Sequence, residues 1–381
     1  MARILVSNSL VLFPMGGMNL WAITWVVGLH RLGHDVYLIE DNGWKETCFD
    51  NQRKTWTRDC SYGIGVVKAL LKRYGLEDRW SFVDFDGTYH GLPRTKVDEL
   101  FRTADVFIDL EWGTTFDRTE NIPIRIFIDN EPGWGQIQLV LAQEAGKEIR
   151  NYEYFYTIGL NIGSEVCSVP TGGIEWRHIM TPVLIDHPPS DGANVNGRFT
   201  TVMNWHRNSK TYEYQGKTYG KKGIEFERFM KLPQLVSAEI EVAVSGHPPL
   251  DRLKQSGWNV RDANEVARSV DTFRDYVAGS KGEFSIAKNA FVETWCGWWG
   301  DRAGVYLSHG NPVILQDAGF SRHIPCGEGL FAVQNVEEAA EAINEINADY
   351  RRHSRKAREL AEEYLDVEKV MDRLLREINL V

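Results

Sequence analysis

The chain has 381 residues, which is too long for one ordinary hydrophobic core and predicts about two domains. Hydrophobic residues make up 43% and charged residues 25%, a composition typical of folded globular proteins and not of disordered chains. The formal net charge of -10 disfavours a broad electrostatic face for nucleic acid. It leaves room for a local basic pocket that holds one pyrophosphate group.

Cysteine usage and the distribution of apolar residues predict a cytoplasmic protein with no membrane span. The five cysteines are scattered and none lies in a CxxC pair, which disfavours both a disulfide framework and a structural zinc site. The apolar stretch near the N-terminus is interrupted by Ser7-Asn8-Ser9, Pro14 and Gly16-Gly17, so we interpret it as strand, loop and helix and not as a signal peptide. No other window of about 18 residues is unbroken in its apolar character.

The first half of the chain alternates predicted strands and helices. Residues 2–8 are predicted to form a buried strand, 19–32 a helix that stops at Gly33, and 35–39 a second strand. A strand-loop-helix-strand unit of this length is typical of a parallel crossover. Further elements are predicted at 64–74 (helix), 81–84, 106–110 and 124–128 (strands), 136–145 (helix) and 154–158 (strand). This alternation favours a doubly wound parallel sheet.

The composition changes at residues 187–198, which are rich in Pro, Gly, Asn and Asp and are predicted to link two domains. The alternation then resumes. Strands are predicted at 199–203, 239–244 and 312–315, and helices at 224–230, 271–277, 303–308, 337–347, 350–365 and 367–378.

We therefore expect an α/β protein with two Rossmann-like, doubly wound domains that face a cleft. The predicted domains are residues 1–186 and 199–366, and the predicted C-terminal helix within 367–381 would pack back on the first domain. In open α/β sheets ligands bind beyond the carboxyl ends of the strands. The loops that follow each strand are therefore the places where chemistry is expected.

The strongest functional pattern is Gly297-Trp298-Trp299-Gly300-Asp301-Arg302, which precedes a predicted helix. Glycines at a helix start let backbone N–H groups approach a phosphate, and the helix N-terminus favours the anion. The guanidinium of Arg302 would donate two charged hydrogen bonds to that phosphate. Gln316 and Asp317 follow a predicted strand, where side-chain acceptors can bind sugar hydroxyls. The alternative is structural: a helix N-cap at Asp301, a packed tryptophan pair and a surface arginine.

Several segments together carry a family resemblance. They are Asp301-Arg302, Tyr306-Leu307, the run 310–320 (GNPVILQDAGF), the run 282–289 (GEFSIAKN), Ile128 to Gly133 and Gly159 to Gly163. These segments resemble a group of bacterial and phage GT-B glycosyltransferases. The resemblance implies a nucleotide-sugar donor, UDP-linked, bound mainly by the C-terminal domain, and an acceptor bound mainly by the N-terminal domain. It places Trp299, Gly300 and Tyr306 at the donor site.

The chain departs from this family at two positions. Many retaining GT-B enzymes carry two glutamates eight positions apart, the second of them five residues before a glycine that matches Gly310. Here those positions are Gly297 and Val305, so the usual ribose carboxylate is missing. Asp301, one helical turn before Val305, is a candidate substitute. The departure leaves retention or inversion of configuration open.

Other basic and glycine positions lie after predicted strands. Lys221 and Lys222 precede a helix where GT-B enzymes often hold the donor diphosphate, although a solvated lysine pair is a common alternative. Ser245 and Gly246 follow the next strand, and glycine there allows close approach of backbone to a ligand. Gly16 and Gly17 are also placed at the donor site, but they complete no GxGxxG pattern, which disfavours a dinucleotide enzyme.

A transfer that inverts configuration needs a base to accept the proton of the acceptor hydroxyl. Glu131 and Asp129 follow a predicted strand and are the first candidates for the catalytic base, although a single carboxylate at such a position is more often a cap or loop residue. Glu40, Asp41 and Glu111 rank behind them. The triplet Asp84-Phe85-Asp86 matches a metal motif of the other glycosyltransferase fold, but the two-domain pattern disfavours that fold, and we expect no essential metal.

Tryptophans accompany these loops at Trp134, Trp205, Trp295, Trp298 and Trp299. Their faces suit the stacking of sugars and bases, but packing in a hydrophobic core is the expected role of at least half of the tryptophans.

The sequence therefore predicts a metal-independent, hexosyltransferase-like enzyme that moves a sugar from a nucleoside diphosphate to an acceptor hydroxyl or amine. The acceptor stays open between a small molecule, a glycan and a modified nucleobase. The alternatives are a sugar-nucleotide epimerase of GT-B shape and a non-catalytic protein that binds sugar nucleotides.

Overall fold

The architecture rests on two parallel sheets. The computed structural model describes residues 1–42, 46–110, 117–147, 149, 151–190, 192–205 and 212–380. Every strand of the larger sheet lies before residue 179, and every strand of the smaller one lies between residues 199 and 333. The predicted α/β architecture with two doubly wound sheets is confirmed.

The larger sheet has eight strands among the described residues, in the order β10-β9-β8-β7-β1-β2-β5-β6. Neighbouring strands are parallel except for the edge pair β5–β6, which is antiparallel. These strands are β1 Arg3–Ser7, β2 Asp35–Asp41, β5 Trp80–Val83, β6 Tyr89–Gly91, β7 Val106–Leu110, β8 Ile124–Asp129, β9 Tyr154–Thr157 and β10 Trp176–His178. A separate hairpin consists of β3 Cys48–Asp50 and β4 Thr55–Thr57.

The smaller sheet has six parallel strands among the described residues, in the order β15-β14-β11-β16-β17-β18. They are β11 Phe199–Asn204, β14 Ile240–Ser245, β15 Asn259–Asp262, β16 Gly282–Ser285, β17 Val313–Gln316 and β18 Leu330–Val333. A second hairpin, β12 Tyr212–Tyr214 and β13 Lys217–Tyr219, follows the central strand.

Helices connect the strands in both halves. In the first half they are α1 Gly16–Arg31, α2 Ser61–Arg73, α3 Arg94–Thr103 and α4 Trp134–Glu144. In the second half they are α5 Lys222–Phe229, α6 Leu232–Leu235, α7 Leu250–Gln255, α8 Ala263–Val266, α9 Val270–Ala278, α10 Asn289–Thr294, α11 Asp301–Ser308, α12 Val336–Ala348, α13 Tyr350–Leu360 and α14 Val367–Glu377. Short 3-10 turns lie at Asp117–Asn121 and Phe320–Arg322.

Each strand and helix predicted from the sequence is present, with ends shifted by a few residues. The predicted helix at 350–365 is α13 followed by a π-helical turn, Ala361–Leu365. The elements that were missed are short or weakly apolar. The longest of them, α3, buries only Val97, Leu100 and Phe101.

Helix α1 lies at the centre of the molecule, which explains why it is apolar on all sides. It contacts β2 of the first sheet, α9 of the second half and the C-terminal helix α14. Its glycine Gly28 faces α14, and a Cβ there would lie 2.2 Å from Val367 Cγ2 and 3.2 Å from Met371 Cγ. Helix α14 thus packs against the first half, and Val183 fixes its start by backbone hydrogen bonds with Leu365 and Val367.

Each sheet has a switch point, where the chain connections on the two sides of a central strand run in opposite directions. The order of the strands places the two switch points opposite each other. In the first sheet the chain leaves β1 in one direction towards β2 and in the other towards β7; in the second it leaves β11 towards β14 and towards β16. Ligands of doubly wound sheets bind at such points, beyond the carboxyl ends of the strands. Within the described ranges, no helix combines the length and apolar character needed to cross a membrane.

The packing of α1 against α14 predicts that a glycine-to-alanine substitution has opposite effects on the melting temperature in α1 and in α2. Gly28→Ala should lower the melting temperature because its methyl group overlaps Val367, and overpacking costs about 1–3 kcal/mol. Gly65→Ala in α2 is the matched control. No atom lies within 4 Å of a Cβ built there, so alanine should raise the melting temperature slightly through its helix propensity. Equal shifts in thermal unfolding would contradict the packing described here.

Candidate functional site

A cavity of about 850 Å³ lies between the two halves at the switch points. Its size is typical of sites for drug-sized ligands. Phe13 and Met15 reach it from the loop after β1, Trp205 from the end of β11, and Lys288 from the loop after β16. The topology of the two sheets therefore predicts where the cavity forms.

The cavity brings together about half of the site residues proposed from the sequence. Those that line it are Gly17, Glu131, Lys221, Lys222, Ser245, Gly246, Asp301 and Arg302. Those that do not line it are Gly16, Asp129, Trp299, Gly300, Tyr306, Gln316 and Asp317.

Cationic side chains crowd the wall of the second half. Lys222, Lys288 and Arg302 all line the cavity there, and the Lys222 ammonium lies 5.5 Å from the Trp298 ring centre. Burial, together with the positive charges of Arg302 and Lys288, lowers the pKa of Lys222 to about 7. An anionic ligand would relieve the repulsion among these cations.

Arg302 is held in place by a buried carboxylate. Its Nε donates to Glu283 Oε1 at 2.5 Å, and a terminal nitrogen donates to Ser285 Oγ at 2.6 Å. Glu283 is completely buried on β16. Arg302 is therefore not the surface arginine of the structural alternative, because its guanidinium bridges the sheet and the cavity.

The glycine-rich segment before Arg302 is used mainly to join the two halves. Leu160 and Asn161 of the first half donate backbone hydrogen bonds to the carbonyls of Gly297 (3.2 Å) and Cys296 (3.0 Å). Gly297 has φ +77, and a Cβ there would lie 2.6 Å from the Asn161 backbone nitrogen. Only the end of the segment, Asp301 and Arg302 at the start of α11, reaches the cavity.

The other residues of this pattern are structural in their contacts. Trp299 is fully buried with its ring centre 5.6 Å from that of Phe320. Tyr306, also fully buried, shares a 2.6 Å hydrogen bond with Thr200 Oγ1. A Cβ at Gly300 would lie 3.1 Å from the Trp298 ring.

Gln316 and Asp317 lie behind the cavity and organise its loops. Gln316 Nε2 donates to Glu225 Oε2 at 2.7 Å, and its Oε1 accepts from the backbone nitrogen of Ala287. Asn289 donates to the other oxygen of Glu225, at 2.8 Å, and accepts from the Gly220 backbone. This buried network ties the chain before Lys221 to the chain around Lys288. Asp317 instead accepts from Gly319 N and Ser321 Oγ within its own turn.

The two first-ranked carboxylates differ in position. Asp129 is buried and accepts from Gln136 Nε2 and Thr157 Oγ1, both at 2.7 Å, and from the Glu131 backbone nitrogen at 3.1 Å. Burial raises its pKa to about 6. Glu131 lines the cavity and forms an ion pair with Lys288 of the opposite half. The cavity therefore presents Glu131, with Asp129 supporting its loop.

The lower-ranked carboxylates are elsewhere. Glu40 is buried and accepts from the backbone nitrogens of Val11 and Leu12; its burial raises its pKa to about 8. Neither Glu40 nor Asp41 lines the cavity, and Glu111 lies outside the described residues.

The Asp84-Phe85-Asp86 triplet forms a turn. Asp84 accepts from the backbone of Asp86 and Thr88 and bonds His90, so the triplet is used locally. Among the described residues, no group of three His, Cys, Asp or Glu side chains is arranged to hold a metal ion.

The sequence interpretation missed several residues of the cavity. Lys288 is the most important, and Arg274, His187 and Ser308 line the same wall. Lys288 is the first charged residue after the four-residue strand β16, so a correct prediction of that strand would have singled it out.

Glycine residues near α1 also have an identifiable role. Gly16 N donates to Ala267 O at 2.7 Å, and a Cβ at Gly16 would lie 2.2 Å from Ser269 O. Gly16 therefore lets α1 start directly against the second half, whereas Gly17 lines the cavity.

Comparison with solved structures identifies the arrangement as the GT-B fold. An alpha-glucosyltransferase in complex with UDP covers 100% of both chains with a TM-score of 0.58 at 12% identity, and has also been solved with UDP and a 13-mer DNA. HepE of Anabaena, in complex with UDP and glucose, covers 100% of both chains with a TM-score of 0.55 at 13% identity. AviGT4, a glycosyltransferase of avilamycin A biosynthesis, has a TM-score of 0.53 at 13% identity and covers 100% of this chain and 97% of its own. No protein-family model and no curated protein sequence matches the chain.

The Arg302–Glu283 pair predicts that removing one partner destabilises the fold. Arg302→Ala leaves Glu283 buried without its cation, and breaking a buried pair costs about 3–5 kcal/mol. The double variant Arg302→Ala/Glu283→Gln removes the stranded charge and should recover most of that loss in chemical denaturation. If both variants are as stable as the unsubstituted protein, the pair is not a structural constraint.

Proposed function

We propose that this protein is a glycosyltransferase that moves a sugar from UDP-linked donors to an acceptor hydroxyl or amine. The observation that carries the proposal is the cationic wall of Lys222, Lys288 and Arg302 in a cavity at the switch points of a GT-B fold. Solved structures of the same fold contain UDP. We further propose that the transferred sugar is a hexose, that the reaction needs no metal, and that residues 1–186 and 199–366 are the two domains.

The donor diphosphate would lie against this wall. Lys222 and Arg302 would bind its oxygens, and the backbone N–H groups at the start of α11 would add hydrogen bonds and a favourable helix dipole. Asp301 lines the cavity in the first turn of α11 and is the candidate to bind a donor hydroxyl. Lys221, Ser245 and Gly246, which also line the cavity, would complete the donor site.

Glu131 would act as the base from the opposite half. The acceptor oxygen attacks the anomeric carbon, its proton passes to Glu131, and the bond to the diphosphate breaks with its electron pair leaving on UDP. Lys288 pairs with Glu131 and faces the same cavity as Lys222, so its charge would be shared between the carboxylate and the departing diphosphate. The cationic wall stabilises the negative charge that develops there.

The simplest test combines binding with turnover. UDP should raise the melting temperature more than ADP or GDP, because a ligand specific for the folded state stabilises it by mass action. UDP-glucose should be slowly hydrolysed when water replaces the acceptor. Glu131→Gln should reduce that hydrolysis by about 10²-fold or more while UDP affinity is kept. The matched control Glu165→Gln changes an exposed carboxylate outside the cavity and should leave both unchanged.

The absence of any shift with UDP would contradict the proposed function. Full hydrolysis of UDP-glucose by Glu131→Gln would rule out Glu131 as the base. Conversion of the donor sugar without release of UDP would instead identify an epimerase.

The lowered pKa of Lys222 predicts a pH dependence of donor binding. With the cavity empty, Lys222 loses its proton near pH 7, and a bound diphosphate would raise its pKa again. Binding above pH 7 must therefore take up a proton, so the Kd of UDP-glucose should rise about tenfold between pH 7 and 8.5. Lys222→Met should bind more weakly and lose this slope. Lys221→Met, its neighbour in the cavity lining, should keep the slope; calorimetry of both variants distinguishes them.

A further inference from the structure

The two walls of the cavity differ sharply in character. From the second half come the charged side chains Lys221, Lys222, Arg274, Lys288, Asp301 and Arg302. From the first half, among the described residues up to 186, Glu131 is the one charged side chain that lines the cavity. Apart from Thr24 and Thr181, the remaining side chains of that wall are apolar or aromatic, and they include Phe13, Phe49 and Trp56.

Three rings form an aromatic platform on this wall: Phe13, Phe49 and Trp56. Phe49 and Trp56 are cross-strand partners in the β3–β4 hairpin, with ring centres 5.4 Å apart, and Phe13 meets the edge of Trp56 at the same distance. Trp56 lines the cavity and yet is 53% exposed, so it lies at the mouth. A large ring left in contact with solvent at a cavity mouth is suited to covering a ligand.

The aromatic platform is held from both halves. Phe49 N donates to Leu12 O at 2.9 Å, which joins the hairpin to the loop that carries Phe13. The Glu40 carboxylate anchors that loop through Val11 N at 2.8 Å. On the other side, Lys54 of the hairpin pairs with Asp262 of the second half at 2.8 Å. A surface whose rings are fixed before binding loses little conformational entropy when a ligand arrives.

The charges beside Trp56 do not suit a polyanion. Within the described residues 46–59, each cation has a carboxylate partner: Arg53 pairs with Asp50 and Asp59, Lys54 with Asp262, and Arg58 with Asp86. The whole chain has a net charge of -10. A row of sugars would also find few hydrogen-bond partners on this wall, since its lining side chains are mostly hydrocarbon.

We infer that the acceptor is an uncharged, hydroxylated aromatic compound whose ring system stacks on the aromatic platform. The inference rests on the proposed transfer of a sugar from UDP. The hydroxyl of the acceptor points past the apolar wall to Glu131, which takes its proton as the oxygen bonds to the anomeric carbon and UDP leaves. The wall from the first half thereby selects for a flat, apolar ring system, and the wall from the second half selects for a diphosphate.

The test uses 4-methylumbelliferone as the probe, titrated into the full chain saturated with UDP. The probe should bind, and Trp56→Ala should weaken its binding about fivefold or more because the largest of the three rings is lost. Trp56→Phe should recover most of the affinity. The control Leu235→Ala removes a comparably exposed apolar side chain, 48% exposed on α6, and should change nothing. With UDP-glucose, mass spectrometry should detect the glucosylated probe.

Parallel titrations with maltotriose and a ten-nucleotide single strand complete the experiment. Tighter binding of either compound than of the probe, or full probe affinity in Trp56→Ala, would overturn the inference. UDP affinity, measured separately by titrating UDP into the same protein preparations, distinguishes failure of the acceptor inference from failure of the proposed function. If UDP binds normally and the probe does not, the acceptor class is wrong and the donor proposal stands; if UDP does not bind, the proposed function itself fails.

Discussion

The crowding of Lys222, Lys288 and Arg302 is the constraint around which this structure is built. Three like charges near each other cost free energy, and the pKa of Lys222 is lowered by its burial and further by the charges of Arg302 and Lys288. Each neighbouring element reduces this cost. Glu283 neutralises Arg302 from β16, and Glu131 neutralises Lys288 from across the cavity. The positive charge that these carboxylates leave unpaired is what the proposed donor diphosphate would neutralise.

The three cations stay together only if the loop before Lys221 and the loop around Lys288 keep fixed positions. The two halves of the chain must also keep a fixed position relative to each other. Glu225 joins the loop before Lys221 to the loop around Lys288, through Gln316 and Asn289. The second junction is the backbone contact between Gly297 and Leu160, where the halves meet directly. Gln316 and Gly297, which the sequence suggested as ligand-binding residues, therefore support the loops of the cavity and do not line it. Lysine side chains are flexible, so a site made of them needs a rigid support.

The sequence predicts the fold well because buried parallel strands are apolar runs, and the β1-α1-β2 unit at the N-terminus shows this pattern clearly. It also finds Lys222, Arg302 and Glu131, since each lies close to the end of a strand or the start of a helix. It misses Lys288 because β16 is four residues long and begins Gly-Glu. It could not show that Gln316 turns towards Glu225, because position at a strand end does not determine which way a side chain points. The aromatic platform was equally hidden, since Phe13 and Trp56 are 43 positions apart and meet only through a hairpin.

The contacts of Gly297 with Leu160 and Asn161 give a physical reason for the missing glutamate pair. At Gly297 a positive φ and the nearby nitrogens of Leu160 and Asn161 leave no space for a Cβ, so no glutamate could occupy that position without separating the two halves. Val305 lines the cavity, yet α11 presents Asp301 to the same space one turn earlier. The chain thus uses position 297 for backbone docking, and the acidic side chain of α11, Asp301, lies in the first turn, where the helix dipole favours it. A ribose contact made by Asp301 would then come from the helix N-terminus, beside the diphosphate.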